Sequence, residues 1–154
     1  MARPSIFEFA GGEPAFQALA AAHHARCLAD PLLNHPFDHP DRKPDHVERL
    51  AAYWAEVFGG PGTYTAKYGD QSSVLRLHCG EGGDVMQEFG RRFVACFVAA
   101  ADDAGLPGDA QLRQALRAYM EWAVADVVSY SPKESVVPDG KPVPRWSWEG
   151  LALS

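Results

Sequence analysis

The sequence predicts an all-α fold, and three features of the chain indicate it. Apolar residues recur at the three- and four-residue spacing of a helix in several long segments. These segments are bounded by good N-cap residues, by glycines and by prolines, which start and stop helices. No segment of useful length alternates apolar and polar residues as a β-strand does. We therefore expect about five helices joined by long irregular connections.

The first long helix follows a short aromatic segment over 5–10, which stops at Gly11-Gly12. The helix begins at Glu13-Pro14, because proline is tolerated in a first turn, and ends at Asp30-Pro31. Two adjacent histidines lie on or beside its apolar face, which is unusual for a plain core. This face consists of Phe16, Ala20, His23 and Cys27, with Leu19 and His24 at its edges.

The second long helix follows a proline-rich loop over 32–44, in which Phe37 is an isolated aromatic residue. We expect Asp45 to be its N-cap and Phe58 its last residue, because Gly59-Gly60-Pro61 is a strong stop signal. Its inner face begins with a histidine and continues with larger apolar residues: His46, Leu50, Tyr53 and Val57.

A loop over 62–71 leads to a short helical turn that carries His78. Ser72 and Ser73 are good N-cap residues for a turn that begins at Val74. The glycines that follow Cys79 prevent a long helix. His78 is therefore expected at the end of a short helical segment.

Two further helices, over 84–104 and 110–129, complete a predicted domain that covers 1–130. The first of them carries Phe93 on the most apolar face of the chain. The remaining residues, 131–154, form a C-terminal extension that contains four prolines as well as Trp146 and Trp148. We expect this extension to dock on the domain or on a partner.

Composition restricts the class of function. The chain of 154 residues has a net charge of −6 and no basic run, which argues against nucleic acid as a partner because phosphate contacts need a basic surface. It has no signal-peptide pattern and no apolar run that would cross a membrane, so we expect a cytoplasmic protein. The three scattered cysteines lack the spacing of metal sites, which predicts free thiols.

Several histidines and aromatic residues together indicate a cofactor pocket. A planar apolar cofactor with a central metal needs an axial imidazole, apolar walls, and a polar group on the opposite face. The residues that match this description are His78, His46, either His24 or His23, Phe37 and Phe93.

An ordered set of motifs extends this prediction. It consists of Gly11-Gly12, Asp30 six residues after His24, Phe37, Glu48-Arg49-Leu50, Phe58-Gly59-Gly60-Pro61 with Thr63-Tyr64, and Leu75-x-x-His78. In this order the chain resembles the group II truncated haemoglobins from about Phe7 to Ser129. The resemblance implies a truncated globin-like two-over-two helical sandwich that binds haem b non-covalently, followed here by the proline- and tryptophan-containing extension.

The resemblance also implies roles for single residues. His78 would be the proximal ligand of the haem iron, Phe37 would pack on the porphyrin, and His46 would face the ligand, with Leu50 one turn later. His24 stands where the family usually has a tyrosine, and Phe93 where group II usually has a tryptophan. These two departures alter the usual hydrogen-bond network around the ligand.

A charge-assisted hydrogen bond contributes about 1.5–3 kcal/mol, so a histidine N–H beside the ligand matters for affinity. We expect His46 to be the principal donor, and direct ligation of the iron by His46 is the competing hypothesis. Three further residues are weaker candidates for the pocket. Arg76 and Tyr64 lie close in sequence to the turn that carries His78 and would contact the haem propionates, and the alternative for the arginine is a solvated helix face. Tyr53 fits core packing better than a polar role.

The predicted function is reversible binding of O2 and of other diatomic ligands such as NO or CO. Redox chemistry of NO, nitrite or peroxide would require an external electron donor, and the chain is expected to act as a monomer or homodimer. One alternative is a zinc or nickel site formed by His24, His46 and His78 in a helical bundle. Another is a non-catalytic helical module that uses the Trp146/Trp148 tail as its contact surface.

Overall fold

A computed structural model describes residues 4–33, 45–76, 83–130 and 136–153, without the side chains of residues 73, 74, 76, 83–86 and 153. Predictions that concern His78, Phe37 and Cys79 therefore lie outside the described residues, as does the Arg76 side chain. We predicted that the domain ends at residue 130 and the extension begins at 131. Residues 131–135 are not described, so this boundary stays a prediction.

Helices dominate the described residues, which confirms the all-α class. Their bounds are α1 Ile6–Ala10, α2 Glu13–Ala29, α3 His46–Val57, α4 Thr63–Lys67, α5 Gln71–Arg76, α6 Gly83–Asp103 and α7 Ala110–Val128. The four long helices, α2, α3, α6 and α7, lie within one or two residues of the predicted segments.

The long helices pack as two pairs. Helix α2 packs against α3 and α6, and α6 packs against α7, as expected for a two-over-two sandwich. The largest fully buried side chains pack between these helices in one main core. They are Trp54, Tyr119, Phe16, Phe58 and Phe97. Burial of apolar side chains, at about 25 cal/mol per Å², is the main source of stability.

The end of α3 is fixed by the close approach of α1. A Cβ atom added at Gly60 would lie 2.7 Å from the Ala55 carbonyl oxygen and 2.8 Å from the Phe7 ring. The Phe7 amide also donates to the Phe58 carbonyl at 2.9 Å. Only glycine fits at position 60, which explains why the stop signal after α3 contains it.

Two predictions for the segment before His78 were wrong. The predicted loop over 62–71 contains helix α4, and α5 begins at Gln71, so Ser72 and Ser73 lie inside the helix and are not caps. Helix α5 begins earlier than predicted because its first amide has a hydrogen-bond partner that is distant in the sequence. The C-terminal segment supplies the carbonyl of Lys141 to the Gln71 amide at 3.0 Å, which starts the helix earlier.

The extension ends in a short antiparallel hairpin, although no strand was predicted there. Strand β1 covers Arg145–Ser147 and β2 covers Gly150–Leu153, with Trp146 opposite Leu151. The Trp148 indole donates to the Pro4 carbonyl at 2.8 Å, and Val143 is buried in the main core. None of the described helices combines the length and the hydropathy that a membrane span requires.

Candidate functional site

A pair of histidines from two helices forms the centre of the candidate site. His24 lies on α2 and His46 in the first turn of α3, and their ring centroids are 5.2 Å apart. Both side chains are half-buried, and the Nδ1 atom of His24 and the Nε2 atom of His46 are shielded from solvent. We call these two residues the histidine pair. They bring two polar imidazoles together between α2 and α3.

His23, one residue before the pair, lies in the core instead. It is fully buried, its Nε2 atom is 3.3 Å from the Cys27 sulfur, and its ring meets those of Trp54 and Phe93 edge-on. Burial, together with the smaller effect of positive charge on His24 and His46, lowers the pKa of His23 from 6.5 to about 3. His23 is therefore neutral at physiological pH, and the structure separates the two histidines that the sequence left as alternatives.

A small apolar cluster lies between the C-terminal part of α2 and α6. Cys27 and Leu33 are buried there, and the partly exposed rings of Phe89 and Phe93 stack at 6.0 Å with an angle of 16°. Phe93 also contacts the His23 ring at 4.4 Å. These half-buried aromatic faces are typical of a wall against which a flat apolar group packs.

Leu50 and the two tyrosines predicted for the pocket lie further along α3 and on α4. Leu50 is partly buried and packs on the main core. Tyr53 is buried, donates to the Gln71 side-chain oxygen at 2.5 Å, and packs edge-on against Tyr64 at 5.1 Å. Burial raises the pKa of Tyr64, an effect that Arg49 opposes. The two tyrosines thus form a cluster with Gln71 and not with the histidine pair.

Helix α5, which leads to His78, is held by the C-terminal segment. The buried Ser72 hydroxyl donates to the Pro138 carbonyl at 2.5 Å and accepts from the Lys141 amide at 2.9 Å. Leu75, three residues before His78, is fully buried. No local sequence pattern marks Gln71 or Ser72 as anchors, because their partners are about 70 residues away along the chain.

A buried carboxylate anchors the far end of α3. Glu56 is almost inaccessible, accepts hydrogen bonds from the amide and hydroxyl of Thr65, and lies 3.8 Å from the Arg145 guanidinium. Arg145 also donates to the Glu56 carbonyl at 2.7 Å. These contacts join α3, α4 and β1. The role of Glu56 is therefore structural.

The remaining candidates for the site are the cysteines and any group of side chains that could ligate a metal ion. Cys27 and Cys96 are free thiols, as predicted, whereas Cys79 lies outside the described residues. Within the part of the chain that the structure describes, no three His, Cys, Asp or Glu side chains are arranged to hold a metal ion. The zinc or nickel alternative depended on His78 as its third ligand, and it stays a prediction. The half-buried aromatic wall and the shielded imidazole nitrogens fit a flat, largely apolar cofactor with a polar centre.

Comparisons with known proteins bear on what that cofactor is. The family model described as "Bacterial-like globin" matches residues 5–128, which include the histidine pair and the aromatic wall. The C-terminal hairpin lies beyond the matched residues. Among the curated proteins we found no significant match.

Solved structures of bacterial haemoglobins are similar to the chain. A thermostable haemoglobin from the actinobacterium Thermobifida fusca is 31% identical, with a TM-score of 0.66 over 81% of this chain and 97% of that one. The haemoglobin of Chloroflexus aurantiacus is 26% identical, with a TM-score of 0.65 over 81% and 98%. A group II truncated haemoglobin from Bacillus anthracis, at 20% identity and a TM-score of 0.63 over 86% and 93%, shows likeness of fold alone.

Proposed function

Because the chain belongs to the bacterial-like globin family and is a haem-binding globin, we propose that it binds O2 reversibly and that His46 and His24 set the oxygen affinity. The observation that carries this proposal is the 5.2 Å contact between the two imidazoles on α2 and α3. The family supports diatomic ligands in general. The choice of O2 and the roles of the two residues are our proposal.

Three residues would hold the cofactor: two are proposed from the sequence and one also from its position in the structure. His78 would ligate the haem iron, Phe37 would pack on the macrocycle, and Phe93 would contribute the half-buried wall beside α2. When bound, haem would supply an iron atom that takes up a diatomic ligand. Arg76, two residues before His78 in the sequence, would contact the propionates.

The histidine pair supplies a hydrogen-bond donor to that ligand. A neutral imidazole carries one N–H donor and one acceptor nitrogen, so a ring of the pair would serve the ligand as a donor through its N–H. His46 begins α3 on the face that continues to Leu50, and this position supports it as the principal donor. His24 lies beside it and fixes its orientation. Hydrogen bonds in such a shielded place are stronger than in water.

Neutral His23 behind the pair keeps the region hydrophobic. Its pKa, lowered to about 3 by burial, means that it adds no charge under physiological conditions. Its ring packs edge-on against those of Phe93 and Trp54. His23 is therefore a packing residue, and replacing it should change ligand binding less than replacing His46.

Oxygen dissociation rates of three single variants test the proposal. Loss of a charge-assisted hydrogen bond of about 1.5–3 kcal/mol corresponds to about a 10- to 150-fold faster dissociation in His46→Leu. His24→Leu should show a smaller increase. His23→Phe, the matched histidine control, should stay close to the wild type. An unchanged rate in His46→Leu would refute its role as the donor.

The optical spectrum of the ligand-free ferrous protein tests the competing hypothesis for His46. A five-coordinate spectrum agrees with a histidine that contacts the ligand only. A six-coordinate spectrum that becomes five-coordinate in His46→Leu would instead make His46 an iron ligand. Any redox turnover with NO, nitrite or peroxide would depend on an external electron donor, and we expect a monomer or homodimer in the cytoplasm.

A further inference from the structure

Two cysteines lie on helices that pack against each other. Cys27 is near the end of α2, and Cys96 is in the middle of α6. Cys96 packs against the small apolar cluster that contains Cys27 and Leu33. Both residues are free thiols in the structure, although they are far apart in the sequence. The fold therefore brings together two thiols that no motif connects.

Ring contacts show how these two helices face each other. His23, one turn before Cys27, meets the rings of Phe93 and Phe97 at 4.4 Å and 5.9 Å. Residues three and four positions apart lie on the same face of a helix. Cys27 therefore continues the face of α2 that His23 occupies. Cys96, three positions after Phe93, lies on the face of α6 that packs against it.

Two ion pairs connect the same stretch of the two helices. Arg26 lies 2.5 Å from Asp103, and Arg92 lies 3.0 Å from Asp30. On α2 the two paired residues are on either side of the cysteine in the sequence, and the same is true on α6. Contacts on both sides thus restrain α2 and α6 where the two thiols lie.

The two thiols differ in their access to solvent. Cys27 is inaccessible, and its sulfur is 3.3 Å from the Nε2 atom of His23. Cys96 is partly exposed. Burial raises the pKa of the Cys27 thiol, and it also raises the pKa of Cys96, where the positive charge of Arg26 opposes it. Cys96 is therefore the thiol that an oxidant in solution reaches first.

We propose that Cys27 and Cys96 form a reversible disulfide between α2 and α6 when the protein meets oxidised glutathione. The Cys96 sulfur first attacks one sulfur of glutathione disulfide, whose S–S bond breaks, and one glutathione leaves with the Cys96 proton. The Cys27 sulfur then attacks the Cys96 sulfur, and the second glutathione leaves with the Cys27 proton. The two protein thiols lose two electrons, which glutathione disulfide gains. An excess of reduced glutathione reverses both steps.

This modification site goes beyond the proposed oxygen binding and does not depend on it, because neither thiol needs a cofactor to react. The disulfide would close a loop that contains α3, α4 and α5. A cross-link of this kind restricts the unfolded chain, so the oxidised protein should melt several degrees above the reduced protein. Reversible pairs of this type suit a reducing compartment, where disulfides are transient and sense oxidants.

Peptide mapping of the full chain after incubation with oxidised glutathione tests the pair. Once the free thiols are blocked, trypsin places the three cysteines on separate peptides, 27–42, 77–91 and 93–113, so the partners in any disulfide can be identified. We expect peptides 27–42 and 93–113 to be linked in the wild type and in the matched control Cys79→Ala. Dithiothreitol should remove the link. Cys27→Ala should stop at a mixed disulfide between glutathione and Cys96.

Three results would overturn the proposal. A link from peptide 77–91 to either of the others as the main product would make Cys79 the partner. A mixed disulfide on Cys96 of the wild type without a link would mean that the two thiols do not meet, and three unmodified cysteines would mean that Cys96 is inaccessible to the oxidant. Uptake of hemin by the same samples is measured separately. Its failure would overturn the proposed function and leave the disulfide standing.

Discussion

Replacing the buried His23 with phenylalanine should make the protein more resistant to acid. His23 is inaccessible to solvent among Trp54, Phe93 and Phe97, and burial lowers its pKa from 6.5 to about 3. In the unfolded chain the residue binds a proton near its ordinary pKa. Between these two values the unfolded state binds more protons than the folded state, so stability falls as the pH falls.

The two pKa values give the size of this effect. Each pKa unit corresponds to about 1.4 kcal/mol, so the difference between 6.5 and about 3 amounts to about 5 kcal/mol over the whole window. At pH 5 the wild type has already lost about 2 kcal/mol of its free energy of unfolding through His23, whereas above pH 7 this loss is close to zero. The packing cost of the larger ring, about 1–3 kcal/mol, does not depend on pH.

Urea unfolding of wild type and His23→Phe at pH 8 and pH 5 measures the effect. Between these conditions the free energy of unfolding of the wild type should fall by about 2 kcal/mol more than that of the variant. The comparison cancels the contributions of carboxylates that both proteins share. An equal fall in both proteins would mean that the folded state accommodates a charged His23, and our reasoning about its burial would be wrong.

Two further predictions concern the contacts of Ser72 in α5 and of Glu56 in α3. Ser72→Ala should cost about 1–3 kcal/mol in urea unfolding, because it removes the partner of the Lys141 amide and of the Pro138 carbonyl. The control Ser129→Ala loses only an exposed hydrogen bond to the Asp126 carbonyl and should change stability by less than about 0.5 kcal/mol; equal costs would contradict the anchoring role. Glu56→Gln should lower the free energy of unfolding by about 1–3 kcal/mol, since a buried acceptor for the Thr65 amide and hydroxyl is lost, and an unchanged melting temperature would show that these contacts contribute nothing.

The long helices were predictable because their signals are local. The segment predicted over 84–104 became Gly83–Asp103, and that over 110–129 became Ala110–Val128. The apolar periodicity and the glycine or proline stops lie within or next to each segment. The helix can therefore be predicted without knowledge of distant contacts. The hairpin was missed for the opposite reason. Strands of three and four residues are too short to show alternation, and their register depends on contacts across the turn.

Local sequence could not predict where α5 begins. It also could not predict which of His23 and His24 is buried in the core. Ser72 acts through residues of the C-terminal segment, which no pattern around position 72 reveals. His23 and His24 both lie near one apolar face, and only packing against Cys27 and Trp54 shows which of them is buried. The roles of His78 and Phe37 stay predictions from the resemblance.

Titration of the purified protein with hemin tests the central claim most directly. We expect stoichiometric uptake with a Soret band in the wild type and loss of that coordination in His78→Ala, with His23→Phe as a variant that keeps it. A wild type that takes up no hemin, or a His78→Ala variant with an unchanged spectrum, would contradict the account.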